Sequence, residues 1–545
     1  MRKSYPPLAN SLTEVTRHLL VLILLGMLYG CASTPQETPQ RPNILFAISD
    51  DQSFAHTSFA GRSWVQTPAF DRVATQGVYF ANCYAGSPGC APSRSVIVTG
   101  RYPWQNEQAG QHAAGWLAKY VPFVDLLTTN GYHTGYTGKG VGPFKYGNPP
   151  LRSQNAAGTA YNDVQYQEND DERFATGIRN LNYAANFEAF LQARSADQPF
   201  FFWYGASEPH RDYEQDAWKR RGKSLNNAEV PAFLPDTETV RGDLLDYAVE
   251  IEWFDLHLMR MIDHLEEIGE LDNTIIIVTA DNGMPFPRAK ANAYEYGVHV
   301  PLAISFPAQF PGGRTVDDPI SFVDLAPTIL ELTDTEPAGM LPITGQSITD
   351  ILTSEKTGTV GETQRHVLSG RERHSSSRYQ NRGYPQRAIR RGRYLYVWNM
   401  KPERWPAGAP QRLMPDSSGA AYPMYGVDAQ GAYQANQAFT DIDDCPTKSF
   451  LIEHHDDPAY EAYFELAVAK RPEYELFDVE KDPACLSNLA LDPEFASVRE
   501  QLNATLMEEL TATQDPRVVG PDPEVFDRYP RYSPMREFPP PESAQ

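Results

Sequence analysis

Asn43-Ile44-Leu45-Phe46-Ala47-Ile48-Ser49-Asp50-Asp51 is the stretch that decides the fold. An apolar run this short reads as a strand buried on both faces, with its two carboxylates emerging at the carboxyl end. The form recurs at residues 273–280, a mostly apolar strand followed by Asp281-Asn282-Gly283, and residues 199–206 make a third strongly apolar strand. Between them, residues 67–76 read as a helix, 77–82 as a strand, 123–130 as a helix leading into a turn and strand at 131–136, and 244–267 carry helical periodicity. Strands alternating with helices predict an α/β fold around a large, mostly parallel sheet flanked by helices. Polar side chains gathered at strand ends are where such sheets place their sites.

After about residue 350 the character changes, which predicts a smaller C-terminal α+β subdomain. Residues 353–382 read as loop, 388–399 as one strand with Tyr394, Tyr396 and Trp398 on one face, 475–479 as a short strand and 493–512 as a helix. The expected organisation is a catalytic domain at 42–350, the subdomain at 351–528 and a Pro-rich tail at 529–545. No internal repeat is visible.

The chain has 545 residues, enough for a large core, and a formal net charge of −23. That balance argues against nucleic acid as a partner. It would also repel a polyanion at long range, so an anionic substrate needs a local basic cleft. Arg2, Lys3 and Arg17 precede an apolar run at residues 19–28 that is too short for a comfortable membrane span. The run ends in Leu28-Tyr29-Gly30-Cys31, which resembles a bacterial lipobox. The expectation is a signal peptide at 1–30, lipidation of Cys31 and a polar tether over 31–41. The protein would then be lipid-anchored in the outer membrane, or at the cell surface or periplasm, of a Gram-negative bacterium. Of the other cysteines, Cys445 and Cys485 read equally as a disulfide or as two buried thiols.

Residues 90–101 read Cys-Ala-Pro-Ser-Arg-Ser-Val-Ile-Val-Thr-Gly-Arg. Pro92 suits the first turn of a helix, and Arg94 falls on the face of Cys90 one turn on. The free amides of that turn then offer an anion site beside the thiol. Asp50, Asp51, Asp281 and Asn282 make a hard, all-oxygen donor set, suited to Ca²⁺ or Mg²⁺ and unsuited to Zn²⁺.

The 90–101 stretch resembles the activation signature of type I sulfatases, C-x-P-S-R-x-x-x-x-T-G-R, with every fixed position present. The resemblance extends over about residues 42–515 and implies an alkaline phosphatase-like fold. It implies that Cys90 is oxidised to formylglycine by a formylglycine-generating enzyme, and that its aldehyde hydrate attacks sulfur. It further implies calcium (Mg²⁺ is the lesser alternative) held by Asp50, Asp51, Cys90, Asp281 and Asn282. Lys139 in Thr137-Gly138-Lys139-Gly140, His210 in Glu208-Pro209-His210-Arg211 and Lys290 after Asp281-Asn282-Gly283 match further family motifs. With Arg94 they are the expected catalytic side chains.

Many sulfatases carry a histidine two residues after that lysine for releasing sulfate. Here the position is Val141, so either another group does this work, with His112 and His133 as candidates, or a deletion shifts the local backbone. Within the family the chain looks most like the heparan N-sulfatase-like branch of polysaccharide sulfatases. The implied activity is hydrolysis of sulfate esters, or of an N-sulfate, in a sulfated polysaccharide or oligosaccharide, such as the algal glycan ulvan. His112, Arg387 and Arg390, with Trp104 and Trp116, are the expected sugar contacts. Two other readings stay open from sequence: a phosphoester or phosphonate hydrolase of the same superfamily, and a non-catalytic surface lipoprotein that captures sulfated glycan.

Overall fold

In a computed structural model the chain divides into two compact units, Met1–Arg41 and Pro42–Gln545. The structure describes residues 1–4, 41–167, 170, 172–361, 365–414 and 418–533. The apolar leader, Cys31, most of the tether and most of the tail lie outside the described residues. No helix among the described residues is long and apolar enough to cross a membrane.

From Pro42 onward the strands are, in chain order, β1 Asn43–Ser49, β2 Val78–Phe80, β3 Cys83–Tyr84, β4 His133–Gly138, β5 Thr159–Ala160, β6 Phe200–Gly205, β7 Thr274–Ala280, β8 His299–Val300, β9 Leu302–Ser305, β10 Arg314–Val316, β11 Ile320–Ser321, β12 His366–Arg371, β13 Gln386–Arg391, β14 Tyr394–Asn399 and β15 Tyr474–Asp478. The main sheet has eight strands in the order β10-β2-β9-β7-β1-β6-β4-β5. Its centre is parallel: β1 pairs with β6 (Ile44 opposite Phe201) and with β7 (Ile44 opposite Ile275), and β6 pairs with β4. Only β9 runs against its neighbours.

Every residue of β1, β6 and β7 is buried, as an apolar run covered on both faces requires. Alternate side chains feed two cores. Ile44, Phe46 and Ile48 pack on one face with Val96, Ile97 and Val98 of the Cys90–Thr99 helix. Leu45 and Ala47 pack on the other with Leu244, Val249 and Leu258 of the Glu238–Glu267 helix. That long helix starts six residues before its expected position, because the Thr237 side chain accepts from Val240 N and caps it.

The C-terminal segment forms an antiparallel sheet, β12-β13-β14-β15. Two expectations change here. The single strand read at 388–399 is a hairpin, with Arg391 opposite Tyr394 and a two-residue turn at Gly392-Arg393. Gly392 sits at φ 55°, in the left-handed region that lets so short a turn close. Residues 353–382, read as loop, contain β12, whose partner is β13. Residues of this segment, including Leu368, Ile389, Tyr396, Leu476 and Leu506, belong to the same core as Ile44 and Val96. Cys445 and Cys485 are separate buried thiols.

Candidate active site

Four parallel strands deliver the polar groups, each from its carboxyl end. β1 runs into Asp50 and Asp51, β4 into Lys139, β6 into the segment carrying His210, and β7 into Asp281 and Asn282. The ends are laced together: Asp50 N donates to Glu208 O (2.9 Å), Asp281 N to Ser49 O (3.1 Å) and Lys139 N to Gly205 O (2.6 Å). Asp51, at φ 76°, turns its amide onto Asp281 Oδ1 at 3.1 Å.

Cys90 opens a helix whose N-cap is Gly89 and whose ten residues are all buried. Ligand atoms of Cys90, Asp50 and Asp281 lie within 4.8 Å of one another. Arg94, one turn on, ties the site together. Its Nε donates to Asp281 Oδ2 (2.7 Å) and its Nη1 to the carbonyls of Lys139 (2.7 Å) and Gly140 (3.0 Å). Ser93 Oγ donates to the Asp281 carbonyl at 2.6 Å. Lys139 Nζ bonds Asp50 Oδ2. Lys290 Nζ donates to Asp51 Oδ2 (2.6 Å) and to Asp443 Oδ2 (2.9 Å). His210 Nε2 lies 4.0 Å from Asp51 Oδ2, and its Nδ1 is 2.6 Å from the Arg211 carbonyl.

Protonation follows from this crowding. Burial pushes the Cys90 thiol up to about 11. Burial, reinforced by the charge of Asp50, raises Asp281 to about 7. Burial acts on Asp50 in the same sense, but Lys139, His210, Arg94 and Lys290 outweigh it and hold that carboxyl far below its usual range.

Two carboxylates so close to Cys90 invite a cation, and the donors fit one. Asp50 Oδ1 and Asn282 Oδ1 are buried oxygens without a hydrogen-bond partner, while Asn282 Nδ2 is spent on Asp51 Oδ1 (2.8 Å) and the Gly283 carbonyl (3.0 Å). Bare, hard oxygens in a buried cluster are the donors that Ca²⁺ or Mg²⁺ takes.

An open cleft of about 920 Å³ reaches this edge. Asp50, Lys139 and His210 line it together with Arg173, Arg179 and Asn180. The structure thus groups Asp50, Asp51, Cys90, Arg94, Lys139, His210, Asp281, Asn282 and Lys290. It does not group the rest of the expected set. Arg387 is fully buried between Asp515 (Nε to Oδ2, 2.5 Å) and Glu372 (2.7 Å), with its guanidinium over Trp104. Arg390 is 8% exposed and bonds Tyr84 Oη at 3.0 Å, with Glu295 at 3.3 Å. Both arginines are structural ion pairs, not sugar contacts. Trp104 and Trp116 are core. His133 stacks on Phe190 at the far end of β4 and serves no purpose at the site. Val141 is buried in the core. His112 keeps a place near the start of the Cys90 helix: it lines a cavity of about 10 Å³ with Gly89, Pro92 and His374, and its Nδ1 has no hydrogen-bond partner.

Sequence reasoning missed Asp443, His374 and Arg179. Asp443 lies in Asp441-Ile442-Asp443-Asp444, whose only signal is an acidic run, the commonest dress of a solvated loop. Nothing in the local sequence announces His374 or Arg179.

A buried cysteine at a helix start, an oxygen cage and two lysines at the strand ends of a mixed sheet define a hydrolase site for an oxyanion ester. The chain belongs to the sulfatase family, whose model matches residues 42–335. It is 26% identical to an ulvan-active sulfatase of Formosa agariphila over 89% of this chain and 77% of that one. It is likewise 26% identical to human N-sulphoglucosamine sulphohydrolase, over 92% and 94% of the two chains. A solved structure described as being in complex with its substrate D-glucosamine-2-N,6-O-disulfate shares the fold. Its TM-score is 0.56 at 20% identity, covering 89% of this chain and 99% of that one. The protein is a sulfatase.

Proposed function

We propose that this sulfatase acts on a sulfated polysaccharide or its oligosaccharides, with a formylglycine at position 90 and a calcium ion held by Asp50, Asp51, Asp281 and Asn282. The observation that carries this reading is the convergence of Cys90 with Asp50 and Asp281 inside 4.8 Å, beside two lysines and an open cleft. An unmodified thiol is the wrong nucleophile here, since burial that holds it near 11 leaves little thiolate at neutral pH. Oxidation of Cys90 supplies an aldehyde hydrate with one hydroxyl to attack sulfur, and the bound cation supplies Lewis-acid polarisation.

The remaining roles fall to the chain's own side chains. Arg94 holds Asp281 and the backbone after β4 in fixed relation to position 90. Asp281 takes a proton from the attacking group. Lys139 and Lys290 receive sulfate oxygens as charge builds on them. His210 donates from Nδ1 to the Arg211 carbonyl, which leaves Nε2 as the ring nitrogen that faces the site and, in the imidazolium form, gives its proton to the leaving oxygen. His112 takes over the release step that Val141 cannot perform. Burial, with the charges of His374, Arg531 and the two site lysines, keeps its imidazole neutral, which leaves one ring nitrogen unprotonated and makes it a weak base.

The substrate class rests on relatives named for ulvan and N-sulphoglucosamine, and on a cleft at the upper end of the ~300–1,000 Å³ usual for ligand pockets. We further propose that Cys31 is lipidated and anchors the enzyme in the outer membrane or at the surface of a Gram-negative cell. Protein purified from its own host should carry an aldehyde in place of the thiol in the Cys90 peptide, read by mass spectrometry. It should release inorganic sulfate from a sulfated oligosaccharide, and Cys90→Ala should abolish that release. Full activity with an unmodified thiol would overturn the mechanism.

A further inference from the structure

The scissile sulfate needs only a small part of the cleft, and the remainder has its own chemistry. Among the described residues, four other cationic side chains that line it are engaged. Lys139 is bonded to Asp50. Arg211 forms a pair with Asp243 (2.6 and 3.0 Å). Arg173 donates to the carbonyls of Thr176 and Ile178. His210 is bonded to the Arg211 carbonyl. Arg179 differs: it is exposed and lines the same cleft, and its guanidinium acts on Glu208 only through charge, with no hydrogen bond or ion pair of its own among the described residues.

Its backbone, by contrast, is fixed. Arg179 N donates to Glu208 Oε1 at 2.9 Å, and Glu208 Oε2 accepts from Tyr183 Oη at 2.7 Å. Glu208 stands two residues before His210, so the anchor of Arg179 is tied to the segment that sets His210 in the site. The acidic groups lining the same cleft do little to cancel this cation. Asp50 is bonded to Lys139, and Glu208 and Glu250 are 2% exposed, with both Glu208 oxygens already accepting from Arg179 N and Tyr183 Oη. Asp212 remains, exposed on the cleft lining. A free guanidinium held on a fixed backbone offers a two-pronged donor for a planar carboxylate or a sulfate. In a chain of net charge −23, such a local cation is what lets a polyanion approach.

We propose that Arg179 forms a subsite for a second oxyanion of the substrate, a carboxylate or a further sulfate. The enzyme then favours glycans with two anionic groups close together over those bearing the scissile sulfate alone. This rests on the sulfatase reading of the adjoining site.

The test compares formylglycine-bearing wild type with Arg179→Ala and Arg179→Lys. The probes are an aryl monosulfate, a sulfated disaccharide containing a uronate, the same disaccharide with its carboxyl reduced, and a disulfated sugar. For Arg179→Ala, kcat/KM on a doubly anionic substrate should fall about ten- to a hundredfold, chiefly through KM, and at least ten times more than on the aryl monosulfate. Arg179→Lys should recover part of the loss. Whichever substrate loses its Arg179 dependence when its second anion is removed identifies that anion as carboxylate or sulfate. Equal losses on all four probes, or none on any, would overturn the subsite while leaving the sulfatase reading intact. A wild-type enzyme that releases sulfate from none of them would overturn that reading and the subsite with it.

Discussion

Lys290 joins Asp51, at the end of β1, to a carboxylate contributed from the C-terminal segment, and the two bonds do different things. The bond to Asp51 places the ammonium at the reacting edge; the bond to Asp443 only steers and charges it. Burial would lower the pKa of Lys290, but Asp443 first and Asp51 second raise it well above the usual lysine value. Lys290→Ala removes a donor that meets developing negative charge and should cost roughly 10²–10³-fold in kcat/KM. Asp443→Asn should cost less than a tenth as much, because the Asp51 bond survives. It should also move the alkaline limb of the pH–rate profile to lower pH, since the strongest influence keeping Lys290 protonated is gone. An unmoved limb would show that Asp443 does not govern Lys290.

Among the elements, the Pro68–Gln76 helix shows how a buried acid is used for architecture. The side chain of its own N-cap residue, Thr67, caps none of its first-turn amides. Asp255, from the long helix, does so across the interface, accepting from Ala69 N (2.8 Å) and Phe70 N (2.9 Å). Burial nevertheless raises Asp255 to about 7, above its value near 4 in an unfolded chain. The folded state therefore holds an extra proton between those values, and its stability falls as pH rises from about 4 to about 7. Asp255→Asn carries no such proton, so thermal unfolding should show a smaller loss of Tm from pH 5 to pH 8 than the parent does. An unchanged slope would rule the group out. The same scale shows what the sequence could tell. β1, β6 and β7 were legible because burial on both faces removes any alternation, and the cage was legible because it sits at their ends. β12 and the Gly392 turn were not: one is a polar-rich strand whose pairing depends on β13, the other a single left-handed residue among arginines, in a stretch that otherwise reads as one continuous strand. Arg387 misled for the opposite reason. A sequence shows charge, but only packing against Asp515 shows that the charge is already used.

At the scale of the molecule, a change of character near residue 350 suggests two bodies, yet the packing from Pro42 onward describes one. A single core runs from Ile44 of β1 through Val96 of the Cys90–Thr99 helix to Ile389, Leu476 and Leu506. Polar ties cross the same line: Trp104 Nε1 donates to Thr513 Oγ1 at 2.9 Å, Ser369 Oγ to the Ala85 carbonyl at 2.7 Å, and Lys290 to Asp443. Cutting after residue 350 would expose the shared apolar face, leave Trp104 without its acceptor and strip Lys290 of one carboxylate. Exposed apolar surface on that scale drives association, since each Å² costs about 25 cal/mol in water. Residues 42–350 expressed alone should therefore be insoluble or unfolded and inactive. The full chain should melt in one calorimetric transition whose van't Hoff and calorimetric enthalpies agree. Two resolved transitions, or a soluble 42–350 fragment that still hydrolyses an aryl sulfate, would mean that the second sheet is an accessory. A single transition with an inactive fragment would mean that this sulfatase's site is built by both sheets together, with the C-terminal segment supplying the charge that keeps Lys290 in place.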